Sequence, residues 1–154
     1  MQRQVATLPE SMSELCLIRV GFQVKRWSAL AYVRGLGQAI DRAAAHAIRD
    51  RAGLLHSERF ASSFWNKGVL QYWESFAQLE AWSRQPPHSE WWRQAIERVR
   101  TKGDFGIFHE TYLIPRSNLE SIYLNTTPTG LAAFGTLADA TGPRTTARHR
   151  LGKR

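Results

Sequence analysis

The sequence predicts an α+β domain in which two strand–helix–strand units share one antiparallel sheet. Segments of β-forming residues alternate along the chain with segments whose apolar residues recur at helical spacing. One local pattern also occurs twice, a strand that ends in tryptophan and is followed by a serine that begins a helix: KRWSAL at residues 25–30 and QYWESF at residues 71–76. Two right-handed units of this kind, joined by a short turn, produce the β-α-β-β-α-β order of the ferredoxin-like fold.

The first unit covers residues 15–64. Residues 15–25 are rich in β-forming side chains and predict a strand. Ser28 is the expected N-cap of a helix that runs to about residue 50, with an apolar stripe facing the core. Gly53 is suited to end that helix, and a second strand is expected up to residue 64.

The second unit begins after residues 66–68 (NKG), a predicted turn in which Gly68 adopts a positive φ. Ser75 and Gln78 have the spacing of a capping box at the start of a helix. That helix is expected to end before the prolines at residues 86–87, because proline cannot donate a backbone hydrogen bond. The remaining elements are predicted as a strand at 69–74, helices at 76–84 and 89–100, a strand at 105–114 and an extended piece at 120–124.

Right-handed crossovers place both helices on the same face of the sheet, so the other face is predicted to be bare. An apolar sheet face must be covered, and pairing with a second copy is the simplest cover. We therefore predict a homodimer of the dimeric α/β barrel type. The domain itself is expected at residues 14–125, with residues 1–13 as a loose N-terminal arm and residues 126–154 as a Gly- and Thr-rich basic C-terminal tail.

Composition restricts the class of protein. The 154 residues are 43% hydrophobic and 22% charged, as expected for one globular domain. Of the formal net charge of +8, residues 143–154 carry +5 and no acid, which leaves +3 for the rest. No basic helix with exposed aromatic residues occurs elsewhere, so no nucleic-acid partner is expected. The absence of a long apolar stretch and the single Cys16 lead us to expect a soluble, cytoplasmic protein with no membrane partner.

Polar side chains interrupt the fourth predicted strand in the segment HETY at residues 109–112. Strand alternation places Glu110 and Tyr112 on one face and His109 on the other. In a strand expected to be mostly buried, an ionisable side chain needs a partner or a function, so His109 and Glu110 are the candidate catalytic residues. The alternative is a satisfied pair, with His109 bonded to the backbone or tail and Glu110 bonded to an arginine.

Six further residues are candidates for substrate binding: Trp65, Trp73, His88, Tyr112, Tyr123 and Asn125. His88 follows the break between two helices, where a cavity is expected, although it could equally be an exposed capping residue. The tryptophans could line an aromatic pocket or belong to the core. Tyr123 and Asn125 share a strand face and could orient a carbonyl or hydroxyl group. No phosphate loop, metal-binding histidine spacing or nucleophile elbow is present, so neither a metal nor a nucleotide cofactor is expected.

Three segments, VLQYWESF at residues 69–76, GIFHETY at 106–112 and IYLN at 122–125, resemble the monooxygenase-like family of the fumagillin-pathway type. Its members are largely uncharacterised and belong to the dimeric α/β barrel superfamily. The resemblance spans roughly residues 15–150 and implies an enzyme of secondary metabolism, similar to the cofactor-independent antibiotic-biosynthesis monooxygenases. Such oxidoreductases use a base and an apolar cage, because the substrate's own carbanion reacts with O₂. The implied substrate is an apolar or aromatic metabolite held between helices and sheet.

Two other functions stay open. Haem-binding relatives in the same superfamily include haem-degrading enzymes and aldoxime dehydratases. The haem-degrading type carries its ligand histidine late in the second helix, where this chain has WRQAIE at residues 92–97 and no histidine. His88 and His109 nevertheless keep haem as the alternative cofactor. The third function is a non-catalytic module in which the barrel only binds a ligand or dimerises.

Overall fold

The computed structural model of the chain describes residues 3–152, which form two sheets and four α-helices. In chain order the elements are β1 (Arg3–Thr7), β2 (Glu14–Val24), α1 (Leu30–Arg49), β3 (Leu54–Ala61), β4 (Asn66–Trp73), α2 (Phe76–Ser83), α3 (His88–Lys102), β5 (Phe105–Pro115), β6 (Tyr123–Leu124), β7 (Thr136–Asp139) and α4 (Ala147–Arg150). A 3₁₀ turn at Trp27–Ala29 precedes α1, and another at Gly130–Ala133 separates β6 from β7.

The main sheet has the strand order β3-β4-β2-β5, and every neighbouring pair is antiparallel. This order results when two right-handed β-α-β units share a sheet. Val20, in the middle of β2, pairs with Val69 of β4 on one side and with His109 of β5 on the other. The predicted α+β, ferredoxin-like fold is confirmed.

The core lies between the main sheet and α1–α3. Cys16 and Trp73 are fully buried there and pack with Leu79 of α2. Phe22 and Phe105 form a second cluster, with their ring centroids 5.9 Å apart in an edge-to-face arrangement. Burying a large apolar side chain contributes roughly 1.5–3 kcal/mol, so these two clusters hold the helices on one face of the sheet.

The prediction of a loose N-terminal arm is wrong from Arg3 onward, because Arg3–Thr7 is the central strand of a small sheet ordered β6-β1-β7. Leu8 and Met12, which follow it, pack with Leu15 of β2 and cover one end of the face opposite the helices. Arg116 fixes this segment by donating to the backbone oxygens of residues 8, 9 and 12. The pairing was not predictable locally, since its partner strands come from the end of the chain.

Two local predictions in the first unit and the hairpin also differ from the structure. Ser28 does not cap α1; it lies in the 3₁₀ turn and its Oγ donates to Asp104 at 3.2 Å. The turn between β3 and β4 is at residues 62–65, and Gly68 lies inside β4. A side chain at Gly68 would collide with the backbone of Val20, so close strand packing, not a positive φ, explains this glycine.

Candidate functional site

A break in the second crossover opens a cavity against the sheet. α2 ends at Ser83 and α3 begins at His88, so the helical layer of the second unit has a gap. In the first unit, by contrast, α1 is continuous. The cavity measures about 700 Å³, within the size range of small-molecule sites. Its lining is mainly apolar and aromatic, and includes Ile18, Val20, Phe22, Leu36, Ile40, Phe76, Leu79, Trp82, Trp91, Trp92, Ala95 and Ile107. The polar and charged residues of the lining are Gln71, Glu80, Ser83, Arg84, His88, Ser89, His109 and Thr111.

His88 is the best-defined polar group of this cavity. Its Nδ1 lies 2.9 Å from the backbone oxygen of Ser83, and its ring centroid lies 4.8 Å from that of Trp82. Because a carbonyl can only accept, Nδ1 must carry the proton, which leaves Nε2 with a free lone pair. Burial lowers the pKa of His88; the Ser83 bond opposes this shift, and the nearby His109 adds to it. Burial therefore favours the neutral imidazole of His88, and the Ser83 carbonyl favours the tautomer with the proton on Nδ1.

His109 reaches the same cavity from the sheet. It lies on the helix-facing side of β5, where its ring centroid is 6.3 Å from that of Trp92. The expectation that this strand is mostly buried is wrong for residues 109–113, which are exposed in the single chain. β5 is an edge strand, and its buried part is its beginning at Phe105. His109 thus lies at the open side of the cavity.

Glu110 lies on the opposite face of the sheet, as strand alternation predicts. Its Oε2 accepts from Arg19 Nη1 at 3.0 Å and from the Tyr112 hydroxyl at 3.1 Å. The bond from Arg19, and then that from Tyr112, lowers the pKa of this carboxyl group. Glu110 is thus hydrogen-bonded to an arginine, as expected if it belongs to a satisfied pair. It is separated from His109 by the sheet.

The other predicted binding residues are scattered. Trp73 is fully buried in the core, and Tyr112 is on the face opposite the cavity. Trp65 belongs to an exposed aromatic cluster with Trp27 and Phe64. Tyr123 and Asn125 line a separate polar pocket of about 280 Å³ beside the small sheet, with Gln4, Thr126 and Thr127. Of the eight predicted site residues, the structure brings only His88 and His109 into the helix–sheet cavity.

The sequence analysis also missed Gln71 and Thr111, two neutral polar residues that the main sheet contributes to the cavity. Gln71 and Thr111 both pair with Ile18 of β2, from opposite sides, and both face the helices. Gln71 left a visible signal, because it stands between the apolar Val69 and Trp73 on the buried side of a strand. A polar residue at such a position needs a hydrogen-bond partner, which makes it a site candidate.

A second polar cluster attaches the end of the chain to the other face of the sheet. Glu58 accepts from Thr129 Oγ1 at 2.7 Å, from the backbone nitrogen of Gly130 at 3.1 Å and from the Tyr72 hydroxyl at 3.3 Å. Burial opposes ionisation of Glu58, but the bonds from Thr129, Gly130 and His56 outweigh it and lower the pKa. These contacts are structural, since they hold the 3₁₀ turn at Gly130–Ala133 against β3.

Two further observations concern metals and membranes. Within residues 3–152, no group of three or more histidine, cysteine, aspartate or glutamate side chains is arranged to hold a metal ion. No helix in that part of the chain combines the length and apolar character needed to cross a bilayer.

Comparison with known proteins agrees with this architecture. The model of the family described as monooxygenase af470-like matches residues 15–131. The chain belongs to the monooxygenase af470-like family. The match covers the main sheet, the three helices around the cavity and both cavity histidines. No curated protein matches the sequence.

Solved structures of aldoxime dehydratases share the fold with this member of the family. One matches with a TM-score of 0.66 and 16% sequence identity, over 90% of this chain and 39% of its own. Another, the aldoxime dehydratase OxdRE in complex with butyraldoxime, matches with a TM-score of 0.69 and 16% identity, over 97% of this chain and 42% of its own. The chain therefore spans about two-fifths of these proteins. At this identity the likeness shows the fold alone.

Proposed function

We propose that this chain is a small-molecule enzyme that binds an apolar or aromatic metabolite in the helix–sheet cavity, with His88 as the base and His109 as the second acid–base group. The observation that carries the proposal is the 2.9 Å contact between His88 Nδ1 and the Ser83 carbonyl oxygen, which sets the tautomer of His88 in a mainly apolar cavity. Its Nε2 can accept a proton, and burial lowers the pKa of the ring and so favours the neutral form that a base requires. The monooxygenase-like family supports small-molecule chemistry.

The proposed reaction is a cofactor-independent monooxygenation. His88 removes a proton from an activated CH₂ group of the substrate, and the resulting carbanion supplies the electrons that reduce O₂ from solution. One oxygen atom becomes the carbonyl oxygen of the product, and the other leaves as water with the two hydrogens of the CH₂ group. The rings of Trp82, Trp91 and Trp92 line the space around the carbanion with apolar surface.

Oxygen uptake with anthrone tests this function, because its CH₂ group is acidic and its product, anthraquinone, is detected by absorbance. We expect both His88→Ala and His109→Ala to lower the rate, with His88→Ala losing roughly 10²-fold or more. His46→Ala is the matched control, since His46 Nδ1 also bonds a backbone oxygen, at 2.7 Å, but the side chain is exposed on α1 outside the cavity. Wild-type rates in both cavity variants would refute the assignment.

A haem enzyme is the second candidate, and the same histidine favours it. A metal-bound histidine usually donates a hydrogen bond from its other ring N–H to a carbonyl or carboxylate, as His88 does to the Ser83 carbonyl. The residues fit the group, because the cavity is mainly apolar and contains a histidine, and His88 would hold the iron through Nε2. Bound haem would supply a redox-active Lewis acid, and His109 would remain available to hold or move a proton.

Haemin titration separates the two candidates. A haem protein should show a sharpened Soret band on adding haemin, and His88→Ala should lose that change while His46→Ala keeps it. If saturating haemin leaves the spectrum of the wild-type protein unchanged, the haem candidate is excluded and the cofactor-independent one is retained.

We also propose that the chain forms a homodimer through the face of the sheet opposite the helices. Phe60 and Phe108 lie there, with the Arg19 guanidinium 4.9 and 4.6 Å from their ring centroids. Light scattering should give about twice the chain mass of 17.6 kDa, and Phe108→Glu should reduce it to one chain. Phe64→Glu, at an exposed ring elsewhere, should leave the dimer intact. A single-chain mass for the wild type at micromolar concentration would refute the dimer.

A further inference from the structure

We infer that Gln71 determines the specificity of the helix–sheet cavity by selecting ligands that carry a hydrogen-bond acceptor, such as a carbonyl oxygen or an aromatic ring nitrogen, at their deepest end. The inference deepens the proposed function and rests on it, because it requires the cavity to hold the substrate.

Gln71 is a buried polar side chain in an apolar layer. Only 2% of the residue is exposed, and its neighbours on the same face of β4, Val69 and Trp73, are 6% and 0% exposed. An amide placed in such surroundings costs free energy unless its groups are hydrogen-bonded. Gln71 nevertheless borders the cavity, so one side of this amide faces open space.

Chemistry fixes the orientation of the amide. Trp73 Nε1 lies 3.3 Å from the Gln71 side chain, and an indole nitrogen can only donate. The atom facing Trp73 must therefore be Oε1, which leaves Nε2 pointing elsewhere. Within residues 3–152, nothing is hydrogen-bonded to Nε2. Gln71 thus presents an NH₂ group, a donor held in place from behind, without a protein partner.

The sheet shows which end of a ligand this donor meets. Gln71 and Thr111 flank Ile18 on either side, so they lie two strand spacings, about 10 Å, apart. Thr111 and His109 are exposed on the edge strand, whereas Gln71 is buried. A ligand entering beside β5 would reach Gln71 with its leading end. A separation of about 10 Å suits a molecule of two fused rings.

Selectivity follows from what the ligand displaces. Water that occupies the cavity can satisfy the Gln71 donor, and a ligand with an acceptor replaces that bond. A ligand that lacks an acceptor leaves the buried Gln71 donor unpaired, and this unpaired donor costs binding free energy. We expect the acceptor-bearing member of a matched pair to bind at least about 10-fold more tightly.

The test uses 2-acetylnaphthalene and 2-ethylnaphthalene, which differ by one carbonyl oxygen, with the purified full-length chain and isothermal titration calorimetry. The wild type should prefer the ketone. Gln71→Met should lose the preference through weaker ketone binding, while still binding the hydrocarbon. Thr111→Val is the matched control, because it removes the other neutral polar group near Ile18, and it should retain the preference. Circular dichroism establishes that each variant is folded, and the wild-type comparison stands even if Gln71→Met does not fold.

The outcomes separate this inference from the function beneath it. Equal affinity of the wild type for ketone and hydrocarbon would overturn the role of Gln71 and leave the cavity's function standing. Loss of the preference in Thr111→Val but not in Gln71→Met would assign the donor to Thr111 and overturn the inference. If neither compound binds, the inference fails, whereas the proposed function is decided separately by oxygen uptake with anthrone.

Discussion

The two β-α-β units share a local pattern, a tryptophan followed by a serine, but place it in different surroundings. Trp73 is the last residue of β4, points to the helices and is fully buried, whereas Trp27 lies beyond the end of β2 and is 69% exposed. Ser75 caps α2 by accepting from the backbone nitrogen of Gln78, whereas Ser28 caps no helix. A three-residue difference in where the strand ends therefore changes a core residue into a surface residue.

The helices of the two units differ in the same way. α1 runs unbroken for 20 residues and buries an apolar stripe that includes Val33, Leu36 and Ala44. The second crossover is divided into α2 and α3, and the division leaves the cavity with His88 at its edge. The unbroken helix of the first unit thus covers the sheet, whereas the broken crossover of the second unit opens the candidate site, which residues of both units line.

The largest effect on the free energy of unfolding is expected from replacing the two tryptophans of the repeated pattern, one at a time, by alanine. Trp73→Ala should lower the free energy of unfolding by roughly 3–5 kcal/mol, because it empties a fully buried position. Trp27→Ala should change it by no more than about 0.5 kcal/mol, as expected for an exposed side chain. Urea unfolding followed by circular dichroism measures both, and similar losses would show that the two units are equivalent after all.

A smaller effect is expected at Asp104, which joins the two units. Its backbone oxygen accepts from Lys25 and Arg26, and its carboxylate accepts from Arg98 Nη2 at 2.6 Å and from Ser28. Asp104→Asn should cost about 2 kcal/mol at neutral pH, because it removes a buried charge-assisted bond.

The same carboxylate gives a pH dependence with a defined sign. The Arg98 bond is the main cause that lowers the pKa of Asp104 below its usual value. Its stabilisation is therefore present above the unfolded-state pKa of about 3.9 and is lost as the pH falls through the lower native pKa. The stability of Asp104→Asn should fall less steeply than that of the wild type below about pH 4. Parallel acid-unfolding curves would contradict this.

The smallest effect should come from the two serines. Ser75→Ala removes an N-cap and should cost about 1 kcal/mol, whereas Ser28→Ala should cost less than about 0.5 kcal/mol, since Arg98 still binds Asp104. The comparison is made by urea unfolding under identical conditions. A larger loss for Ser28→Ala would mean that the 3₁₀ turn is a true helix start.

Local sequence was sufficient for the parts of the site and fold that depend on neighbouring residues. The capping box at Ser75, the helix break near residues 86–87 and the opposite faces of His109 and Glu110 follow from capping, proline chemistry and strand alternation. The candidate site was only partly predictable, because residues such as Tyr123 and Trp65 have suitable chemistry but lie elsewhere in the fold.

The sequence by itself therefore determined the order of the elements and the face on which each side chain lies, because periodicity and capping act over a few residues. Only the tertiary structure decided which strand is at the edge, that Val5 pairs with Ala138, and that Gln71, His88 and His109 border one cavity. These three features depend on contacts between residues that are distant in the chain. Such contacts form only when the whole sheet and its helices pack together. The repeated Trp–Ser pattern shows the distinction, since Trp73 at the end of its strand is a core residue and Trp27 beyond the end of its strand is a surface residue.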